Sequence, residues 1–133
     1  IDNLIEQTDN AKLTNSITEK DNSYTKEEQI FLLKCREIID DNINNNDFNI
    51  DFFADKLAMS HSSLYKKIKQ MTGMSLIEFI NDYKIYKSVQ LFKQGLTNIE
   101  SVCEKCGFKD VKNFREMFKR KMKITPKQYV QSL

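Results

Sequence analysis

Residues 54–73 read Ala54-Asp-Lys-Leu-Ala-Met-Ser-His-Ser-Ser-Leu-Tyr-Lys-Lys-Ile-Lys-Gln-Met-Thr-Gly73, and this stretch decides the fold. Ala54 and Leu57, with Phe53 just ahead of them, share one face of a short helix over about Ile50 to Ala58, for which Asn49 is the cap. Ser60 caps a second helix, about His61 to Met71. Its inner face carries Leu64 and Ile68, and its outer face carries Ser62, Tyr65, Lys66, Lys69 and Gln70. Two helices separated only by Met59 and Ser60 form a helix-turn-helix candidate. Gly73 ends the unit, because glycine enters the left-handed backbone region at low cost.

Working outward, Thr25-Lys-Glu-Glu28 has the pattern of a capping box, and Phe31, Cys35, Ile38 and Ile39 follow on one helical face as far as the Asn-rich Asn42–Asn46 stretch. On the other side, Ser75-Leu-Ile-Glu78 is a second capping box. It opens a helix running to about Lys93, with Leu76, Ile80, Tyr83, Ser88, Leu91 and Phe92 as its expected contacts, and Gly95 stops it. Thr97-Asn-Ile-Glu100 then opens a short helix carrying Ile99, Val102, Cys103 and Cys106, and Gly107-Phe108 supplies a turn. Asp110 caps a helix over about Val111 to Lys121, with Phe114, Met117 and Phe118 inward and Lys112, Arg115, Glu116, Lys119 and Arg120 outward. Thr125-Pro126 starts a closing helix anchored by Tyr129 and Val130, the proline sitting where its missing N–H is harmless.

These units repeat. Ala54, Leu57 and Met59 align with Cys103, Cys106 and Phe108 at an offset of 49, and Leu64, Lys69 and Ser75 align with Phe114, Lys119 and Thr125 at an offset of 50. The expected fold is therefore all-α, with about seven helices forming two helix-turn-helix subdomains joined by a long linker helix. Residues 1–24 read as a polar linker or tail, 25–74 as the first subdomain, 75–94 as the connecting helix and 95–133 as the second subdomain.

Composition narrows the function classes. The 133 residues include only three Gly and one Pro, which disfavours a turn-rich β-sandwich. No apolar run approaches a membrane span and no signal-peptide pattern opens the chain, so the segment reads as soluble; its first residue is not Met, so it reads as a fragment. The formal net charge of +2 hides a polarity. Residues 1–50 hold 5 Lys+Arg against 11 Asp+Glu, whereas residues 51–133 hold 16 against 8. A polyanion would bind the second region. Cys35, Cys103 and Cys106 read foremost as buried, reduced thiols in a reducing, cytoplasmic setting. Redox use and metal binding are the weaker alternatives, since His61 is the only histidine and no second Cys pair completes a four-ligand zinc site. No Gly-rich phosphate loop or supported nucleophile–base arrangement is present, so no catalytic residue and no cofactor is expected.

A helix standing out from a small bundle fits the DNA major groove, where each base pair shows its own donor, acceptor and methyl pattern. Two such helices on a connector about 28 Å long could enter successive major grooves about 34 Å apart, given their own offset from the connector. RNA is a weaker partner, because its deep, narrow groove disfavours helix insertion. A helical protein-interaction module is a third class, distinguished by indifference to DNA sequence.

The chain resembles the DNA-binding domain of AraC/XylS-type transcription regulators over about residues 28–131. The resemblance rests on the 54–73 stretch with Phe79-Ile80 and residues 84–92. In the second half it rests on Ile99-x-x-Val-Cys-x-x-Cys-Gly-Phe-x-Asp110, Asn113-Phe114, Phe118-Lys119, Ile124-Thr-Pro126 and Tyr129. In detail it is most similar to the version fused at the carboxyl end of hybrid two-component sensors, which would make residues 1–24 the linker after a receiver domain, leave any kinase activity elsewhere in a parent chain, and imply for that parent an anchor in the inner membrane. The resemblance implies base reading by Ser62, Tyr65, Lys66, Val111, Lys112, Arg115 and Glu116. It implies backbone contacts by Ser60, His61, Ser63, Lys69, Lys119 and Lys121. Double-stranded DNA is the implied partner. RNA polymerase contact and dimerisation through other regions are further implications, with no small-molecule ligand. Departures are Lys123 in place of the usual Gly, Lys84 in place of Arg, Ser88 and Cys103 in place of Ala, and Val130 in place of Arg. A left-handed Lys123 would cost about 1 kcal/mol.

Overall fold

Side-chain caps set where the helices begin. The computed structural model describes residues 23–45 and 47–133, and all but the last two residues of the linker expected over residues 1–24 lie outside them. Among the described residues there are seven helices: α1 (Lys26–Asp41), α2 (Ile50–Lys56), α3 (His61–Thr72), α4 (Leu76–Lys93), α5 (Ile99–Lys105), α6 (Val111–Met122) and α7 (Pro126–Ser132). Thr25, Ser75 and Thr125 each accept the amide three residues on, and Glu28, Glu78 and Gln128 return the bond to complete three capping boxes. The amide bond to the Ser75 backbone also holds the Glu78 carboxyl below its usual range. Asn49, Ser60 and Asp110 cap α2, α3 and α6 as the sequence predicts.

Two boundaries differ from expectation. The cap of α5 is Asn98 rather than Thr97, its Oδ1 accepting the Ser101 amide at 2.9 Å. Asn98 lies 49 residues after Asn49, so the repeat itself contains the signal. Helix α2 ends at Lys56, not Ala58, because Ala58 turns left-handed (φ 54°) and the Met59 amide reaches back to the Ala54 carbonyl at 3.0 Å. Just ahead of α1, Tyr24 packs against the first core and donates its phenol proton to the Met71 carbonyl.

The core divides in two. One cluster joins Leu32, Cys35 and Ile39 of α1 to Phe53, Ala54, Leu64, Ile68, Met71, Leu76 and Phe79; the other joins Ile85, Val89 and Phe92 to Val102, Cys103, Cys106, Phe108, Phe114, Phe118, Met122 and Tyr129. Helix α4 serves both. Its buried residues Leu76, Phe79, Asp82, Ile85 and Ser88 come every third position, and each such step falls about 60° short of a full helical turn. The buried face therefore rotates along the helix by about half a turn between Leu76 and Ile85. That rotation is why Phe79, Ile85 and Val89 are buried whereas the expected Ile80, Tyr83 and Leu91 are only half-buried.

Contacts around α4 fix one unit on the other. Lys87 pairs with Asp40 of α1 at 2.9 Å, and Lys121 of α6 pairs with Asp82 at 2.6 Å. The Ile43 carbonyl, in the loop after α1, lies so close to Gly107 that a Cβ there would come within 2.2 Å of its oxygen. Lys84 donates to the Gly107 carbonyl at 3.3 Å with its ammonium 5.5 Å from the Phe108 ring centroid, and burial lowers its pKa. Ser88 is fully buried and its hydroxyl is satisfied by the Ile85 carbonyl at 2.6 Å, which accounts for a polar residue at that position.

Candidate nucleic-acid interface

Helices α3 and α6 are built alike and face outward alike. In α3, Leu64, Ile68, Met71 and Thr72 are buried while His61, Ser62, Ser63, Tyr65, Lys66, Lys69 and Gln70 are exposed. At the offset of 50 in α6, Phe114, Phe118 and Met122 are buried while Lys112, Asn113, Arg115, Glu116, Lys119 and Arg120 are exposed. Each helix thus shows solvent a polar stripe on a fixed apolar base, and Glu116 is the only carboxylate in either. The turns match too: the Met59 amide bonds the Ala54 carbonyl at 3.0 Å, and the Phe108 amide bonds the Cys103 carbonyl at 3.1 Å. Both C-caps are left-handed, Gly73 at φ 75° and Lys123 at φ 71°.

The residues singled out from sequence fall into two groups. Ser62, Tyr65, Lys66, Lys112, Arg115, Glu116 and Lys119 stand on the exposed faces. The others have neighbours that occupy them. Ser60 and Ser63 share a hydroxyl bond of 2.9 Å while Ser60 also caps the Ser63 amide, which fixes both exposed side chains at the helix start. His61 Nε2 lies 2.5 Å from Asp51 Oδ1 in α2, with its ring edge-on to Tyr65. Lys69 donates to the Gly73 carbonyl at 3.0 Å, and Val111 is half-buried against the second core. Lys121 is turned inward to Asp82 at 2.6 Å with its side chain 25% exposed, away from the exposed face that carries Lys119 and Arg120. Its counterpart in α3 is the buried Met71, a clue the offset of 50 already carries. Asn113 and Arg120 are exposed as well, at the repeat positions of Ser63 and Gln70; the sequence reading places Arg120 outward but gives neither a DNA contact.

The thiols are buried and carry no such surface chemistry. Burial pushes Cys35 and Cys106 up to about 12 and raises Cys103, so all three remain protonated near neutrality, unlike the thiolates that bind metal or exchange disulfides. No helix among the described residues is long and apolar enough to cross a membrane.

A family model described as a helix-turn-helix domain matches residues 53–132. The chain belongs to that family, in its AraC/XylS-type form. The domain is a DNA-binding module and not an enzymatic fold. Among similar proteins, histidine kinase P4 of Formosa agariphila is 31% identical over 121 residues, which span 90% of this chain and 9% of that protein. The HTH-type transcriptional activator RhaS of Escherichia coli is 26% identical over 82 residues, spanning 62% of this chain and 30% of RhaS. The chain thus covers only a minor part of the length of either relative. A crystal structure of an AraC-type transcriptional regulator from Chromobacterium violaceum superposes with a TM-score of 0.72 at 20% identity, covering 81% of this chain and 96% of the other, a likeness of fold.

Proposed function

We propose that this AraC/XylS-type domain reads double-stranded DNA sequence-specifically within a transcription regulator, with α3 and α6 in successive major grooves. The observation that carries the proposal is the pair of equivalent polar stripes on one rigid connector, α4, whose 18 residues make it about 27 Å long. In the second stripe Arg115 can pair bidentately with guanine O6 and N7, and Glu116 can accept from cytosine N4 or orient Arg115 or Lys112. In the first, Ser62 and Lys66 read base edges and Tyr65 meets a thymine methyl group, as Val111 does at the start of the second. Lys119, Lys69 and the α3 start at Ser60, His61 and Ser63 hold phosphates, adding affinity and salt dependence without sequence information. RNA polymerase is the expected protein partner, and dimerisation runs through regions outside this chain.

Selection from random duplexes at fixed salt tests this reading. Two short enriched motifs about one helical turn apart support it, and Arg115→Ala should weaken binding to the enriched site by about 1–3 kcal/mol while relaxing one base position. Retention of every duplex alike would instead mark a protein-interaction module.

A second reading sets the domain behind a two-component sensor rather than in a stand-alone regulator. It is favoured by the length of the match to the histidine kinase, 121 residues against 82 for RhaS. Phosphorylation of a full-length parent should then drive dimerisation and raise its affinity for paired sites; a phosphorylated parent that stays monomeric with unchanged affinity would return the domain to the stand-alone class.

A further inference from the structure

Asp82 is the one buried carboxylate among the described residues, 8% exposed, and it sits on α4 midway through the rotation that carries the helix from one core to the other. It belongs to neither apolar cluster. Its partner, Lys121 at 2.6 Å, comes from the last turn of α6, at the place where the first unit has the buried Met71. Around the pair, Met74 and Glu78 from the first unit face Met117 and Arg120 from the second across a shared groove. A methionine at position 121, as in the first unit, would do the packing. An ion pair instead fixes direction, because a buried carboxylate tolerates few arrangements of its partner and an apolar contact tolerates many.

We infer that Asp82 and Lys121 are positioning residues that set the angle between the two reading helices, and through it the half-site spacing the domain accepts. The inference rests on the DNA-reading proposal. α4, a single helix shared by both cores, sets how far apart the two units sit, together with the contact of the Ile43 carbonyl on Gly107. The rotation of α6 about that axis is set by what α6 grips on α4. Asp82 is the polar point of that grip, and it lies between the stretch of α4 that the first core buries and the stretch that the second buries. Lys121 consequently makes no phosphate contact, which separates it from Lys119 two residues earlier on the exposed face.

The test uses the whole chain with Lys121→Met, which installs the residue the first unit already uses there, and Asp82→Asn as a second variant. Spin labels at introduced Gln70→Cys and Asn113→Cys report the distance between α3 and α6 without DNA, the buried native thiols staying unlabelled in the folded chain. Binding is then measured on the selected duplex and on duplexes with one base pair added or removed between half-sites. The native chain should discriminate against the altered spacings by about tenfold or more. Lys121→Met should broaden the distance distribution and cut that discrimination to about threefold or less, with affinity for the selected spacing within about threefold and the salt dependence unchanged. A fall of about one in the salt slope with spacing discrimination intact would make Lys121 a phosphate contact and overturn the inference. An unbroadened distance distribution would overturn it too. If the chain selects no duplex, the DNA-reading proposal fails, and the label distances alone still decide whether the pair fixes the helices. If Asp82→Asn does not fold, Lys121→Met decides.

Discussion

The two helix-turn-helix units share one backbone plan and fill it with different chemistry. The first core is mainly aliphatic, with Leu32, Ile39, Leu64, Ile68 and Leu76 around Phe53 and Phe79. In the second, Phe92, Phe108, Phe114, Phe118 and Tyr129 stack on one another with ring centroids 5.1–6.1 Å apart. The left-handed turn positions are exchanged as well. The first unit has Ala58 in its helix-turn-helix turn and Gly73 at the C-cap of α3; the second has Gly107 in its turn and Lys123 at the C-cap of α6. Between the two helix-turn-helix turns, glycine stands where the backbone is crowded. Gly107 lies against the Ile43 carbonyl, so no side chain fits, whereas Ala58 and Lys123 are exposed and bear only backbone strain.

Emptying the two cores would show that contrast most strongly. Phe118→Ala should destabilise by about 3–5 kcal/mol, because Phe118 touches both Phe92 and Tyr129, and the loss should appear as a lower denaturation midpoint. Its counterpart Ile68→Ala removes a smaller side chain and should cost about 2–4 kcal/mol. Equal losses would mean that the stacked rings contribute no more than aliphatic packing.

The turn exchange predicts a sharper asymmetry. Gly107→Ala should cost about 2–3 kcal/mol, from the left-handed backbone together with the displaced Ile43 loop. Ala58→Gly should change stability by less than about 1 kcal/mol, since relief of strain opposes the extra freedom of unfolded glycine. Lys123→Gly should be stabilising by up to about 1 kcal/mol for the same reason. Chemical denaturation of the three variants checks all of this, and a harmless Gly107→Ala would show that the Ile43 contact is dispensable.

The smallest effect is alkaline. The folded thiols of Cys35 and Cys106 ionise near 12 against an ordinary 9.0, so in the unfolded chain they ionise first. Their contribution is complete below about pH 9 and declines as pH rises toward 12. Replacing both with Ala should flatten the stability profile between pH 8 and about pH 10 relative to the native chain.

Much of this organisation is legible in the sequence because capping chemistry is local. Ser60, Ser75, Asp110 and Thr125 announce their helices within four residues, and the offsets of 49 and 50 reveal the repeat. What was missed depends on two units at once. The face of α4 cannot be read as a single stripe, because two cores bury it from different sides and its third-residue spacing turns the face along the way. Lys121 looks like its neighbours Lys119 and Arg120 in charge, and its repeat counterpart, the buried Met71, and the position of Asp82 tell them apart. Thr97 matched the capping pattern as well as Asn98 did, and the choice is made by the amide of Ser101, within reach of Asn98.

Hydroxyl-radical footprinting of the selected duplex tests the central claim most directly, since it reports where on DNA each unit sits. The account predicts two protected stretches on one face of the duplex, about ten base pairs apart, with the one beneath α6 lost in Arg115→Ala and the one beneath α3 weakened in Lys66→Ala. A single protected stretch, or two that weaken together whichever helix is altered, would contradict a two-headed reader.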